Sequence, residues 1–223
     1  MPEILLPHGH YQELETYRNS EIIYDATVDF CARFLNRGDR TNDQMIQAAR
    51  SGKQNIVEGC MASGTSTETE IKLVGVARAS LEELLEDYRD HLRTHALPLW
   101  EKSDERVMAI RQFGRQKDRT YRTYQSYFDL GKCSAEFFCN LMVSLIHQTN
   151  YLLDRQLESL QKSFAEKGGL RERMHRARLV NRAAQREKAL SLLREVYREL
   201  AALDRHEMAE KVAAVAEIMK NNW

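Results

Sequence analysis

The chain has 223 residues, with 33 basic and 33 acidic side chains, and its composition is 43% hydrophobic and 30% charged. A chain of this length can bury the core of one ordinary domain plus an appendage, and the composition excludes wholesale disorder. No apolar stretch approaches the roughly 20 residues that cross a bilayer. The balanced charge argues against a protein that coats nucleic acid along its whole surface, but it allows a local basic patch.

Residues 1–12 predict an irregular lead-in. They carry no basic segment and only a short apolar run, so no signal peptide is expected. The four cysteines are well separated, without a Cys-x-x-Cys spacing, and so predict reduced thiols in a cytoplasmic protein. His8 and His10 have no third ligand nearby in sequence, so no metal site is predicted there.

Three long segments then carry apolar residues at steps of three and four, the pattern of amphipathic helices. Helix one is predicted from Glu13 to Asn36. Helix two is predicted to begin with a capping box at Thr41–Gln44. Helix three is predicted to begin with another at Thr67–Glu70 and to end near His95.

The segment from about residue 96 to residue 130 predicts an insertion before the fourth helix. Ser103 is expected to cap a short helix that runs through Phe113. Helix four is predicted from Ser134 to Ala165, ended by Gly168 and Gly169.

The last part of the chain begins with a strongly basic segment. Residues 170–188 hold seven arginines and lysines against two glutamates, an excess of five positive charges. A final helical pattern covers Glu187 to Asn221, with a break predicted near Asp204.

No segment alternates with a period of two, so the predicted fold class is all-α. Four long amphipathic helices joined by short turns favour an antiparallel up-down four-helix bundle over residues 13–166. Residues 167–223 are predicted to form an additional helical C-terminal extension: a basic suffix and then an amphipathic helix.

Two segments resemble a known family. The stretch Ser51-Gly52-Lys53-Gln54-Asn55-Ile56-Val57-Glu58-Gly59 is similar to the Asn-Ile-Ala-Glu-Gly stretch of the bacterial four-helix-bundle proteins, the 23S ribosomal-RNA intervening-sequence family. The stretch Ala77-Arg78-Ala79-Ser80-Leu81-Glu82-Glu83-Leu84 is similar to that family's Ala-Leu-Gly-Ser-Leu-x-Glu-Leu. Residues 146–156 and 168–174 resemble the subgroup with a suffix domain after the bundle.

The resemblance implies a four-helix bundle, homo-oligomers that are often pentamers, an association with ribosomal RNA and no catalytic residues. The resemblance extends to a relative of this family that serves as accessory protein to a retroelement reverse transcriptase. The long insertion and the neutral charge of this chain depart from that relative.

Helix two carries a face of small residues that includes Gly52 and Gly59, and this face favours burial between other helices. Asn55 and Glu58 lie beside it. Two interpretations stay open for them: a ligand or RNA contact, or a buried polar pair that sets helix register with Arg50, Lys53 or Arg78. The second is favoured. We count Gly52, Asn55, Glu58, Gly59 and Ser80 as the structural motif.

The sequence predicts no catalytic residue, metal or cofactor. Gly52-Lys53 has no glycine five residues upstream and no Ser or Thr after it, so it does not match a phosphate-binding loop. His91 and His95 have the spacing of two metal ligands on a helix, but no HExxH pattern surrounds them. His147 is expected to be a hydrogen-bonded core or interface residue.

Two basic segments are the candidate interface with nucleic acid or a partner. One interleaves basic side chains with tyrosines that could stack on unpaired bases: Arg115, Lys117, Arg119, Tyr121, Arg122 and Tyr124. The other supplies guanidinium groups, whose planar fork matches phosphate: Arg171, Arg173, Arg176, Arg178 and Arg182. For each segment a structural interpretation is favoured over nucleic-acid binding: packing of the tyrosines across the bundle end, and docking of the suffix on the oppositely charged acidic face of helix three in its own or a neighbouring subunit.

The sequence therefore predicts a non-catalytic oligomeric scaffold or adaptor that engages RNA or a nucleic-acid-processing partner. A protein–protein interaction module without nucleic acid stays open as the alternative, and an accessory protein of a reverse transcriptase is the less favoured one.

Overall fold

The computed structural model describes residues 9–36, 38–203 and 205–221, and within these ranges the secondary structure is helical, with no strand. The all-α prediction is therefore confirmed. The chain divides into two compact units after Gly169, which we call the N-terminal unit and the C-terminal unit.

The long helices of the N-terminal unit bury one face each, as their apolar spacing predicts. α1 packs against α2 and α6, and α3 packs against the same two helices, while α4 lies on α6 and α5 on α1. Their bounds are α1 Glu15–Phe34, α2 Arg40–Ala62, α3 Thr67–Thr94, α4 Glu105–Phe113, α5 Tyr121–Tyr127 and α6 Ala135–Lys167. A 3₁₀ turn at Tyr11–Glu13 precedes them.

Two helix starts differ from the predicted capping boxes. α2 begins at Arg40, where the Asp39 carboxylate accepts a hydrogen bond from the amide of Thr41. α3 is capped by Ser66, whose hydroxyl accepts from the amide of Thr69. Neighbouring Asp, Ser and Thr residues can all cap a helix, and the cap is the one whose backbone leaves the helix in the extended region.

The predicted insertion contains two short helices, α4 and α5. Asp104, and not Ser103, caps α4 by accepting from the amide of Arg106. Thr120 caps α5 with a reciprocal capping box formed with Thr123. The insertion is thus folded onto the long helices and is not an open loop.

α6 starts where the sequence predicts and ends at Lys167, two residues beyond the predicted Ala165. Ser134 caps its first turn by accepting from the amide of Phe137. Gly168 ends it with a φ of +71°, a conformation that favours glycine.

The C-terminal unit is a pair of contacting helices, α7 Leu170–Ala202 and α8 His206–Asn221. α7 runs without interruption through Glu187, where the sequence placed the start of a separate helical pattern. The predicted break near Asp204 falls between α7 and α8, and Asp204 itself lies outside the described residues.

Part of the structural motif lies in the α2–α3 contact. Gly52 is buried against Leu81, and the Ser80 hydroxyl lies 2.9 Å from that of Ser51. Asn55 donates to the backbone oxygen of Ser51 at 2.8 Å, inside its own helix.

The predicted register pair is not formed. Glu58 is exposed, and two of the three cations proposed as partners are engaged elsewhere. Arg78 contacts Asp154 at 2.5 Å, and the Lys53 ammonium lies 4.3 Å from the ring centroid of Tyr24. The two serine hydroxyls therefore supply the polar contact between these helices.

Two helical glycines are expected to respond oppositely to alanine. A Cβ at Gly52 would lie 2.7 Å from Cδ2 of the fully buried Leu81, whereas a Cβ at Gly75 meets nothing within 4 Å. Gly75→Ala should raise the free energy of unfolding by about 0.5–1 kcal/mol through helix propensity. Gly52→Ala should lower it by about 1 kcal/mol, because overpacking outweighs that gain. Urea denaturation of both variants tests the contrast, and equal shifts would contradict it.

Candidate nucleic-acid interface

The α4–α5 segment divides its predicted residues between the surface and the interior. Arg115, Lys117 and Arg122 are exposed. Arg119 is buried, and Tyr124 is fully buried. Only the first three are placed to meet a partner in this conformation.

Arg119 holds the segment to α1. Its Nε and Nη2 donate to Oδ1 of the buried Asn19 at 3.1 and 2.7 Å. Nη2 also lies 2.5 Å from Oε2 of Glu15, and Nη1 donates to the backbone oxygen of Gln116 at 2.5 Å. With its donors used inside the protein, Arg119 acts as a structural residue.

The two predicted tyrosines pack inward, which is the interpretation that the sequence favours. Tyr121 donates to Oδ2 of Asp29 at 2.6 Å, and burial together with that carboxylate raises the pKa of its hydroxyl. The ring of Tyr124 meets that of Phe113 edge to face at 4.7 Å, and burial raises its pKa to about 12. The ring of Tyr124 is closed to a base, and that of Tyr121 is half-buried.

A basic cavity of about 510 Å³ opens beside Arg119, between α1, α4 and α6. The exposed Arg115 and Lys117 line it together with Arg111 of α4 and Tyr151 of α6. Tyr151 is 63% exposed and is the aromatic ring available for stacking here. The only carboxylate among the lining residues is that of Glu15.

Sequence reasoning missed Arg111 and Tyr151. Arg111 sits on the short helix that the sequence predicts within the insertion. Tyr151 follows the polar residues Gln148, Thr149 and Asn150 and lies off the apolar face of helix four. This position outside the apolar spacing was the one signal in the sequence for an exposed ring.

The helical geometry of α7 places the five predicted arginines on different faces. At 100° per residue, Arg171, Arg178 and Arg182 fall within about 40° of one another, whereas Arg173 and Arg176 lie on other faces. The three aligned arginines are exposed and cover about 16 Å along the helix. We call them the α7 arginine row.

The paired histidines do not converge with further ligands. The rings of His91 and His95 stack at 4.1 Å, and Nδ1 of His95 lies 2.8 Å from the backbone oxygen of His91. Burial, with the neighbouring His95, lowers the pKa of His91. His10 is exposed, and His8 lies outside the described residues. Across the described ranges, no three His, Cys, Asp or Glu side chains gather as metal ligands would.

Comparison of the chain with models of known protein families, with curated proteins and with solved structures finds no match. None of the helices in the described ranges combines the length and apolar character that a membrane crossing requires.

Proposed function

We propose that this chain is a non-catalytic, homo-oligomeric adaptor that binds RNA through exposed arginines. The α7 arginine row is the observation that carries the proposal. It presents three guanidinium groups on one face of a helix, the geometry in which separate side chains contact successive phosphates.

The packing of the N-terminal unit supports a scaffold role. We infer an antiparallel up-down four-helix bundle from α1, α2, α3 and α6, because each of them packs against two of the others and the connections from α1 to α2 and from α2 to α3 are short. The resemblance to the intervening-sequence family implies this bundle, an oligomer that is often a pentamer, and RNA as the partner. An oligomer would repeat the arginine row, so that weak phosphate contacts add.

The absence of catalysis is part of the same proposal. The basic cavity beside Arg119 holds one carboxylate and no nucleophile paired with a base. Its exposed cations and Tyr151 suit phosphate contact and stacking on an unpaired base.

RNA binding is tested with a triple variant of the arginine row. Arg171, Arg178 and Arg182 are changed to Gln, and affinity for a fluorescent structured RNA is measured between about 50 and 200 mM salt. Each lost phosphate contact should reduce the slope of log affinity against log salt by about one. We therefore expect a slope lower by about two to three, with weaker binding at every salt concentration.

The matched control removes three exposed cations of the N-terminal unit. Arg93, Lys132 and Arg155 have side chains that are 71%, 85% and 66% exposed, and each contacts a neighbouring carboxylate on its own segment. Their triple change to Gln should leave the salt slope close to that of the wild type. Equal losses in the two triples would show nonspecific attraction and would contradict the proposal.

One observation favours the second candidate, a protein-interaction module without nucleic acid. Large apolar side chains of the C-terminal unit are exposed, among them Leu192, Tyr197 and Ile218 at 53%, 43% and 58%. Exposed apolar patches are characteristic of protein contacts. Wild-type protein that shows no RNA binding even at the lowest salt would make this function the better one.

A further inference from the structure

A second cavity of the N-terminal unit, which shares Arg111 with the basic cavity beside Arg119, gathers cations around a histidine. It measures about 540 Å³ and lies between the C-terminal half of α3, the α3–α4 connection, α4 and α6. Arg89, Lys102, Arg111 and His147 line it, and Glu101 is the one carboxylate in its lining. The lining therefore carries three permanent positive charges and one negative charge, and this net charge of +2 favours an anion.

The cations are only partly neutralised. Arg89 contacts Glu86 at 2.5 Å, but the Glu86 side chain is 58% exposed, so water screens the pair. Nε of Arg89 is buried and makes no hydrogen bond among the described residues. Lys102 has no ion pair there, and Arg111 donates only to the backbone oxygen of Lys102, at 3.4 Å.

The contact between Arg89 and His147 fixes the state of the histidine. Nη2 of Arg89 lies 3.1 Å from Nε2 of His147. A guanidinium can only donate, so Nε2 must accept, and the imidazole is neutral with its proton on Nδ1. Protonation of His147 would break this bond and leave two donors side by side, which an anion between them would satisfy.

The remaining walls match an organic group. Leu99, Val107 and Val143 supply apolar surface, and Ser103 and Ser144 also line the cavity. A volume of this size is in the range of small-molecule pockets and exceeds what a bare oxyanion fills.

We infer that this cavity binds the terminal phosphate of a phosphomonoester, with Arg89, Lys102 and Arg111 as its cationic partners and His147 as a fourth donor recruited when the dianion arrives. The phosphate belongs either to a mononucleotide or to the 5′ end of an RNA, and the experiment separates the two sources. The site does not depend on the α7 arginine row.

Proton uptake should accompany binding. Around His147, the charged groups are Arg89 and Glu82 from α3, Lys102 from the connection and Arg111 from α4. Partial burial of the ring, followed by the three cations, lowers the pKa of His147, and Glu82 opposes them. A bound dianion reverses this field and raises the pKa of His147. Affinity should therefore rise as the pH falls from about 8 to about 6, by at most about tenfold per unit.

Calorimetric titration tests the site with sulfate, which stays a dianion across this range, and then with phosphate, adenosine monophosphate and adenosine. We expect binding of the anions and none of adenosine. Arg89→Gln should weaken binding by about tenfold or more, as loss of a charge-assisted hydrogen bond implies. Arg93→Gln is the matched control, four residues along the same helix with a side chain that is 71% exposed, and it should bind like the wild type.

His147→Gln retains an acceptor for Arg89 but cannot become charged. It should bind sulfate at about pH 8 like the wild type and lose the rise in affinity towards about pH 6. An unchanged pH response in this variant would overturn the role of His147.

Lys102→Gln, with Lys132→Gln as control, replaces Arg89→Gln in the test if Arg89→Gln does not fold.

The source of the phosphate is identified by comparing RNA that carries a 5′ phosphate with RNA that ends in a 5′ hydroxyl. Preference for the 5′ phosphate assigns the site to RNA ends, and binding of adenosine monophosphate alone assigns it to mononucleotides. Equal affinity of adenosine and adenosine monophosphate, or of Arg89→Gln and Arg93→Gln, would overturn the inference.

Discussion

Replacing Phe30 by alanine is expected to lower the free energy of unfolding by about 3–5 kcal/mol. Phe30 is fully buried on α1, and its ring meets Tyr88 of α3 at 5.0 Å and Phe138 of α6 at 5.6 Å. These separations are those of favourable edge-to-face and tilted aromatic pairs. One truncation thus removes the contact that joins three long helices.

Urea denaturation followed by circular dichroism measures the loss in free energy of unfolding. In thermal denaturation the melting temperature should fall by about 10 °C. Phe164→Ala is the same chemical change at a side chain that is 38% exposed, and it should shift stability by less than about 1 kcal/mol. Comparable losses in the two variants would mean that Phe30 does not anchor the core.

The burial of Phe30 illustrates what periodicity predicts well. Apolar residues at steps of three and four locate the long helices because one face of each must leave water. The same pattern identifies the small-residue face of α2, where Gly52 meets Leu81. It does not settle helix starts, since Asp39 and Thr41 are both good caps and only the backbone decides between them.

The candidate interface was harder to predict because charge alone does not report burial. Arg115 and Arg119 look equivalent in sequence, yet one is exposed and the other is buried against Asn19, a residue 100 positions away. His147 was expected to be a hydrogen-bonded residue of the core or an interface. It is exposed, so the core placement is wrong, the interface placement stays a prediction, and its hydrogen bond is formed with Arg89. Such convergence depends on tertiary packing between distant segments, which no local spacing encodes.

Arg119→Met is expected to lower the free energy of unfolding by about 2 kcal/mol, since the buried Asn19 loses its charged donor. The ion pair with Glu15 adds little, because that carboxylate is 44% exposed. The RNA affinity of the folded variant should stay that of the wild type, as the Arg119 side chain is only 4% exposed.

Arg115→Met is the complementary variant. Arg115 lines the basic cavity from an exposed position, so its loss should change stability by less than about 0.5 kcal/mol and should lower RNA affinity and its salt dependence. Denaturation and RNA titration of both variants separate the structural arginine from the binding one. If Arg119→Met weakened RNA binding while leaving stability intact, the guanidinium would have to leave its site beside Asn19 to reach the RNA, and the division between the two arginines would be wrong.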